Sequence, residues 1–143
     1  MATPSLRDSS IRTLAWLGDA HFERMVRWGL AQRGDYPVTR LDEARARVVR
    51  AEAQAALLDR LEPLLHPEEQ ALVRRGMNAQ VRGKGRANRD TRAYRAATGL
   101  EALIGWWACG DEAGEARLSA TLSPMLDQAL NEALDVSVPI KRG

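Results

Sequence analysis

The chain has one cysteine, Cys109, among 143 residues, so no disulfide can form within it. That fits a reducing cytoplasm, where thiols stay free. No apolar run approaches the ~20 residues that a membrane helix needs. The N-terminal MATPSLRDSS also lacks the apolar core of a signal peptide. Membrane, secreted and fibrous classes are thereby excluded. There is no internal repeat and no low-complexity tract. The two histidines, His21 and His66, are far apart and match no metal spacing. No nucleophilic triad stands out, and Gly83-Lys84-Gly85 lacks the spacing of a phosphate-binding loop. No stretch alternates as a strand does.

What is present reads as one globular, all-α domain. Hydrophobic residues make up 45% and charged residues 28%. The length suits a single domain, which buries enough surface to need no staples. Ser9 or Ser10 is placed to cap a helix running to Gln32, with Ile11, Leu14, Leu17, Phe22, Met25 and Val26 as its apolar positions. Gly34 and Pro37 break the pattern. The spacing then predicts a helix over 40–61 capped by Thr39, and a short one over 67–79 opening on His66-Pro67-Glu68-Glu69. Residues 80–89 read as a loop. A fourth helix runs from Asp90 or Thr91 to Ala108, a turn covers 109–114, and a last helix spans 115–135. Trp106 and Trp107 are expected to pack and not to stack on bases.

The formal charge of +2 conceals an asymmetry. Residues 74–95 hold Arg74, Arg75, Arg82, Lys84, Arg86, Arg89, Arg92 and Arg95 against the single acid Asp90. That window is +7, and the remaining 121 residues are −5. A basic segment on an acidic body points to a local polyanion contact, against the plainer alternative of a solvated face.

Two acids lie in apolar, small-residue surroundings: Asp19 in Leu14-Ala15-Trp16-Leu17-Gly18-Asp19-Ala20, and Glu101 in Thr98-Gly99-Leu100-Glu101-Ala102-Leu103-Ile104-Gly105. A carboxylate there is costly to bury unless it is paired or holds a metal. Each stands near a glycine, which lets another helix or a ligand approach. Two carboxylates from two packed helices make a natural Mg²⁺ site. The alternative is that each caps a helix or pairs with an arginine.

These segments resemble a known family. Leu14–Ala20 is similar to the signature helix of ribonuclease III, and Tyr94–Gly105 looks like its second acidic motif. The two acids are 82 residues apart, in the family's order. Residues 49–55 (VRAEAQA) and Arg74-Arg75-Gly76-Met77-Asn78-Ala79 resemble further segments of one branch, Mini-ribonuclease III, a catalytic domain without an appended double-stranded RNA-binding domain. The resemblance covers about 8–135 and makes 1–143 one catalytic domain. It implies a dimeric, Mg²⁺-dependent endoribonuclease of the cytoplasm that cuts double-stranded RNA, with precursor 23S ribosomal RNA as substrate.

On that resemblance Asp19 and Glu101 are the catalytic metal ligands. Arg74, Arg75, Asn78, Arg82, Lys84, Arg86, Arg89 and Arg95 are the RNA-binding residues, gripping backbone phosphates. Leu14, Trp16, Leu17 and Gly18 form the dimer interface, with Trp16 as its anchor; the alternative is that Trp16 fills its own core. Larger relatives carry acids where this chain has Arg12, Ala15 and Thr98, so only two carboxylates match. Glu23 is a candidate for an outer contact to the metal. The rival readings are a catalytically silent RNA-binding module and a structural subunit of a ribonucleoprotein.

Overall fold

The computed structural model describes residues 5–79 and 91–135. Among these residues, after a 3₁₀ turn at Leu6–Asp8, come six α-helices: α1 (Ile11–Gln32), α2 (Val38–Val49), α3 (Ala51–Leu61), α4 (Pro67–Ala79), α5 (Thr91–Ala108) and α6 (Glu112–Ala133), with a second 3₁₀ turn at Glu62–Leu64. No strand occurs among the described residues. None of these helices is long and apolar enough to cross a membrane.

Helix α1 begins where expected. The Ser10 hydroxyl accepts from the Thr13 amide at 3.2 Å, satisfying one of the donors that a helix start leaves over. Its inner stripe, Leu14, Gly18, Phe22, Val26 and Leu30, recurs every four residues. Helix α5 is different. Ala93, Ala96, Ala97, Leu100, Ala102, Leu103, Ile104 and Trp107 are all buried. A helix buried on nearly every side belongs in the middle, and α1, α3, α4 and α6 pack around this one.

The expected helix over 40–61 is two helices. Arg50 leaves helical geometry (φ −64°, ψ 155°) and ends α2 while starting α3. Apolar spacing continues across the break, so periodicity does not reveal it. A side chain competes for the backbone here: Gln54 Nε2 donates to the Val49 carbonyl at 2.8 Å. The last helix starts earlier than its spacing suggests, because Asp111 accepts from the Ala113 and Gly114 amides. Trp107 is core. Trp106 is covered by Arg7, whose guanidinium sits 3.7 Å above the ring.

Glu69 ties three parts of the fold together. It accepts from the His66 amide (2.8 Å), from Trp107 Nε1 (2.9 Å) and from Arg117 (2.9 and 3.0 Å). A glutamate reaching back over the start of its own helix is one half of a capping box. Burial alone would raise its pKa; Arg117, His66 and Trp107 outweigh that and hold it at about 2. Its stabilisation is therefore complete above about 4.5, the ordinary value, and is lost as the pH falls from there through about 2. Glu69→Gln leaves Arg117 without its charge partner and is expected to cost about 3 kcal/mol at neutral pH. Urea unfolding at pH 7 and pH 3 checks this: the gap between wild type and variant shrinks at the lower pH.

Candidate active site

The site forms where α1 crosses α5. A Cβ built on Gly18 would overlap the Glu101 carbonyl, and one on Gly105 would overlap the Leu14 carbonyl. The two backbones touch because neither glycine has a side chain. That contact brings Asp19, one residue after Gly18, against Glu101, one helical turn before Gly105. An alanine at either glycine has to push backbone from backbone, which repacking cannot relieve. Gly18→Ala is expected to destabilise by about 3 kcal/mol and to lower activity at least 100-fold, read by thermal unfolding and by a turnover assay on the folded fraction.

A cleft of about 300 Å³ opens over the crossing, lined by Arg12, Ala15, Trp16, Asp19, Ala79, Thr98 and Glu101. Arg12, Ala15, Trp16 and Asp19 share one face of α1 by their three- and four-residue spacing. Asp19 is exposed and Glu101 is half-buried. Burial first, and the neighbouring Asp19 second, push the Glu101 pKa up to about 8. Among the described residues neither acid has a basic partner within ion-pair distance. Two carboxylates forced together without a countercharge are costly in a folded protein. Oxygen donors in that state suit a hard divalent cation, and the donor set therefore fits Mg²⁺. No third histidine, cysteine or acid joins them among the described residues. Ala15 and Thr98 line the cleft and contribute no carboxylate, and the Thr98 hydroxyl donates to the Tyr94 carbonyl at 3.0 Å.

Glu23 has another role than the one expected. It pairs with Arg45 at 2.8 Å and Arg27 at 3.3 Å, on the α2 side of α1. The expected interface set is also divided. Leu14 is 1% exposed and Gly18 is buried against α5, so both belong to the chain's own interior. The small residue at 18 serves an approach within the chain, that of α5. Leu17 is half-buried. Trp16 is 74% exposed, so it does not fill the core.

Of the expected RNA contacts, Arg74, Arg75 and Asn78 are exposed on the last turns of α4. Arg75 lies one turn before Ala79, the α4 residue in the cleft wall. Arg95 crosses from α5 to this helix end, donating to the Met77 carbonyl (3.2 Å) and to Asn78 (3.3 Å). Arg82, Lys84, Arg86 and Arg89 lie outside the described residues. Two residues that the spacing did not single out as functional belong here. Arg12 bridges α1 to α4 through the Ala79 carbonyl at 3.2 Å. Gln54 is buried beside Glu101. Arg12 was visible only as a departure from the family's acids. Gln54 fell inside the segment 49–55 that resembles the branch, but nothing in it showed the aim of its side chain, because the break that sets that aim was invisible.

A helical fold in which two carboxylates meet at a backbone-tight helix crossing is that of a ribonuclease III-type nuclease. The family model described as "Ribonuclease III domain" matches residues 12–111. Mini-ribonuclease 3 of Symbiobacterium thermophilum is 44% identical over 115 residues, covering 80% of this chain and 86% of that protein. Mini-ribonuclease 3 of Brevibacillus brevis is 44% identical over 93 residues, covering 65% and 69%. Among solved structures, the crystal structure of protein FN1578 from Fusobacterium nucleatum superposes with a TM-score of 0.72 at 25% identity, over 87% of this chain and 98% of that one. The chain belongs to the ribonuclease III family of endoribonucleases, in its Mini-ribonuclease 3 branch.

Proposed function

We propose that this protein is a homodimeric, Mg²⁺-dependent endoribonuclease that cleaves double-stranded RNA in the cytoplasm, with the precursor of 23S ribosomal RNA as its physiological duplex. The observation that carries the metal-dependent chemistry is the meeting of Asp19 and Glu101 in an open cleft, with no ion-pair partner for either among the described residues. The choice of duplex RNA and of the ribosomal precursor follows the resemblance of the chain to its branch.

Asp19 and Glu101 would hold the ion. Bound between them, such an ion would supply Lewis-acid chemistry, lowering the pKa of a water and offsetting charge on the leaving 3′ oxygen. Glu101 has a proton to surrender below about pH 8, so cation affinity rises with pH up to that value. Arg12 presents its remaining guanidinium N–H groups to the cleft and would receive a phosphate oxygen in the fork geometry that arginine provides. Arg74 and Arg75, on the outer end of α4, would hold the backbone further along. Such contacts fix position and carry little sequence information, which suits a duplex read by its A-form shape. The silent-module reading is disfavoured by the acid pair itself, since a pure binding surface has no use for two acidic groups placed side by side with the pKa of one pushed up.

The test is incubation with a long RNA duplex, the same strands unpaired, a DNA duplex and a precursor 23S stem, each in Mg²⁺ and in EDTA. Cleavage of the RNA duplexes alone, and only in Mg²⁺, is expected. Retention of the duplex without cutting in Mg²⁺ overturns the enzymatic reading. Equal rates on the 23S stem and on an arbitrary duplex overturn the choice of substrate.

A further inference from the structure

Gln54 stands beside the acidic pair and takes no part in the chemistry above. It is 4% exposed. Its Nε2 donates to the Val49 carbonyl at 2.8 Å and lies 3.5 Å from Glu101 Oε2, the outer limit of a hydrogen bond. Its Oε1 is buried and has no partner among the described residues. A carbonyl only accepts, so Val49 dictates which end of the amide faces it. The nitrogen must point to Val49 and Glu101, which removes the usual ambiguity of an amide flip.

The Val49 carbonyl is open to Gln54 because the chain leaves helical geometry at Arg50. In one continuous helix that carbonyl would accept from the amide four residues on, at Ala53. The break between α2 and α3 and the aim of Gln54 are therefore one device. A side chain that served only to cap α2 would satisfy Val49 and stop there. This one also reaches the carboxylate, and it keeps a buried acceptor without a partner among the described residues.

We propose that Gln54 is a positioning residue for the acidic pair. Its amide nitrogen, anchored on Val49, holds one oxygen of Glu101, so that the other oxygen turns toward an ion shared with Asp19. Its buried oxygen is the acceptor for a water in that ion's shell. The inference rests on the reading of Asp19 and Glu101 as a metal site.

The test measures Mn²⁺ binding without RNA, from the electron paramagnetic resonance signal of the free ion, in wild type, Gln54→Met and Glu101→Gln. Methionine keeps the length and removes both the donor and the acceptor. Gln54→Met is expected to weaken Mn²⁺ affinity 10- to 100-fold, the usual range for partners that orient metal ligands. Duplex affinity in EDTA stays within twofold, and with saturating RNA kcat falls while KM holds. If Glu101→Gln weakens Mn²⁺ binding and a folded Gln54→Met does not, the inference is overturned and the metal reading stands. If Glu101→Gln has no effect on Mn²⁺ binding, the metal reading falls and takes the inference with it. Loss of the Val49 bond puts the α2–α3 junction at risk, so a second measurement leaves Gln54 in place. The side-chain ¹⁵N–¹H resonances of Gln54 should shift on Mg²⁺ titration in wild type and stay fixed in Glu101→Gln. Resonances that ignore Mg²⁺ in wild type overturn the proposal whatever the variant does.

Discussion

Glu101→Gln is expected to abolish cleavage and, in the same experiment, to make the metal-free protein more stable. The loss of activity should be on the order of 10³-fold or more, since a catalytic ion contributes several kcal/mol and each 1.4 kcal/mol is a factor of ten. The gain in stability comes from the same geometry. Glu101 has its pKa pushed up to about 8 by burial and by Asp19, against about 4.5 in an unfolded chain. A carboxyl raised on folding stabilises fully below about pH 4.5, and that contribution is lost as the pH rises through about 8. At pH 8 in EDTA the wild type therefore carries a strained pair that the amide relieves. The variant should melt higher there by roughly 4–8 °C, the equivalent of about 1–2 kcal/mol in a domain of this size. Near pH 4.5 the two melting points should converge. Asp19→Asn should lose cleavage to the same extent, because one remaining carboxylate cannot hold the ion. A scanning calorimetry series across pH, run beside a gel assay on duplex RNA, measures both halves. A variant that cleaves at the wild-type rate sinks the metal assignment. One that is inactive and also less stable at pH 8 sinks the account of the pair as strained.

Stability sacrificed at a working site is also where local sequence rules give out, and the contrast runs through the whole fold. The helix types were legible because α1, α4 and α6 each keep an apolar face, and α1 and α4 also have a serine or a proline at the start, whereas the capping role of Asp111 was not legible and the spacing starts α6 at 115. Asp19 and Glu101 were legible because a carboxylate among alanine, glycine and leucine contradicts its surroundings. Their meeting was open, since 82 residues separate them: a shared metal site on two packed helices stood beside capping or pairing with an arginine, and the resemblance favoured the first. Gly18 was legible as a point of close approach by another helix, but the sequence did not say which helix. A glycine says that something comes near and not whether that something is α5 or another chain. The break at Arg50 left no mark, because it is made by a side chain four residues later, and no window of apolar spacing registers an amide bonded to a carbonyl. The aim of Gln54 at Glu101 was hidden for the same reason, although the residue lay in the segment 49–55 that resembles the branch.

Trp16→Lys is expected to yield a folded monomer without cleavage activity. Trp16 is 74% exposed, on the face of α1 that also bears Arg12 and Asp19. A tryptophan presents roughly 150–250 Å² of surface. At ~25 cal/mol per Å², covering it is worth about 4 kcal/mol, and a two-fold interface gains that from each chain. Such a sum is large enough to contribute decisively to association against its entropy cost. The lysine removes that gain and puts a charge on the face that the partner would cover. Because the side chain lies outside the core, the fold should survive, with far-UV circular dichroism and melting temperature close to wild type. Because Trp16 also lines the cleft, activity alone does not report on association, and sedimentation must be read separately. Wild type is expected to sediment as a dimer at micromolar concentration and Trp16→Lys as a monomer. Trp16→Phe, which keeps a flat apolar ring, should retain both the dimer and most of the activity. A Trp16→Lys protein that remains dimeric removes Trp16 from the interface. A monomer that cuts duplex RNA at the wild-type rate removes the requirement for a second chain.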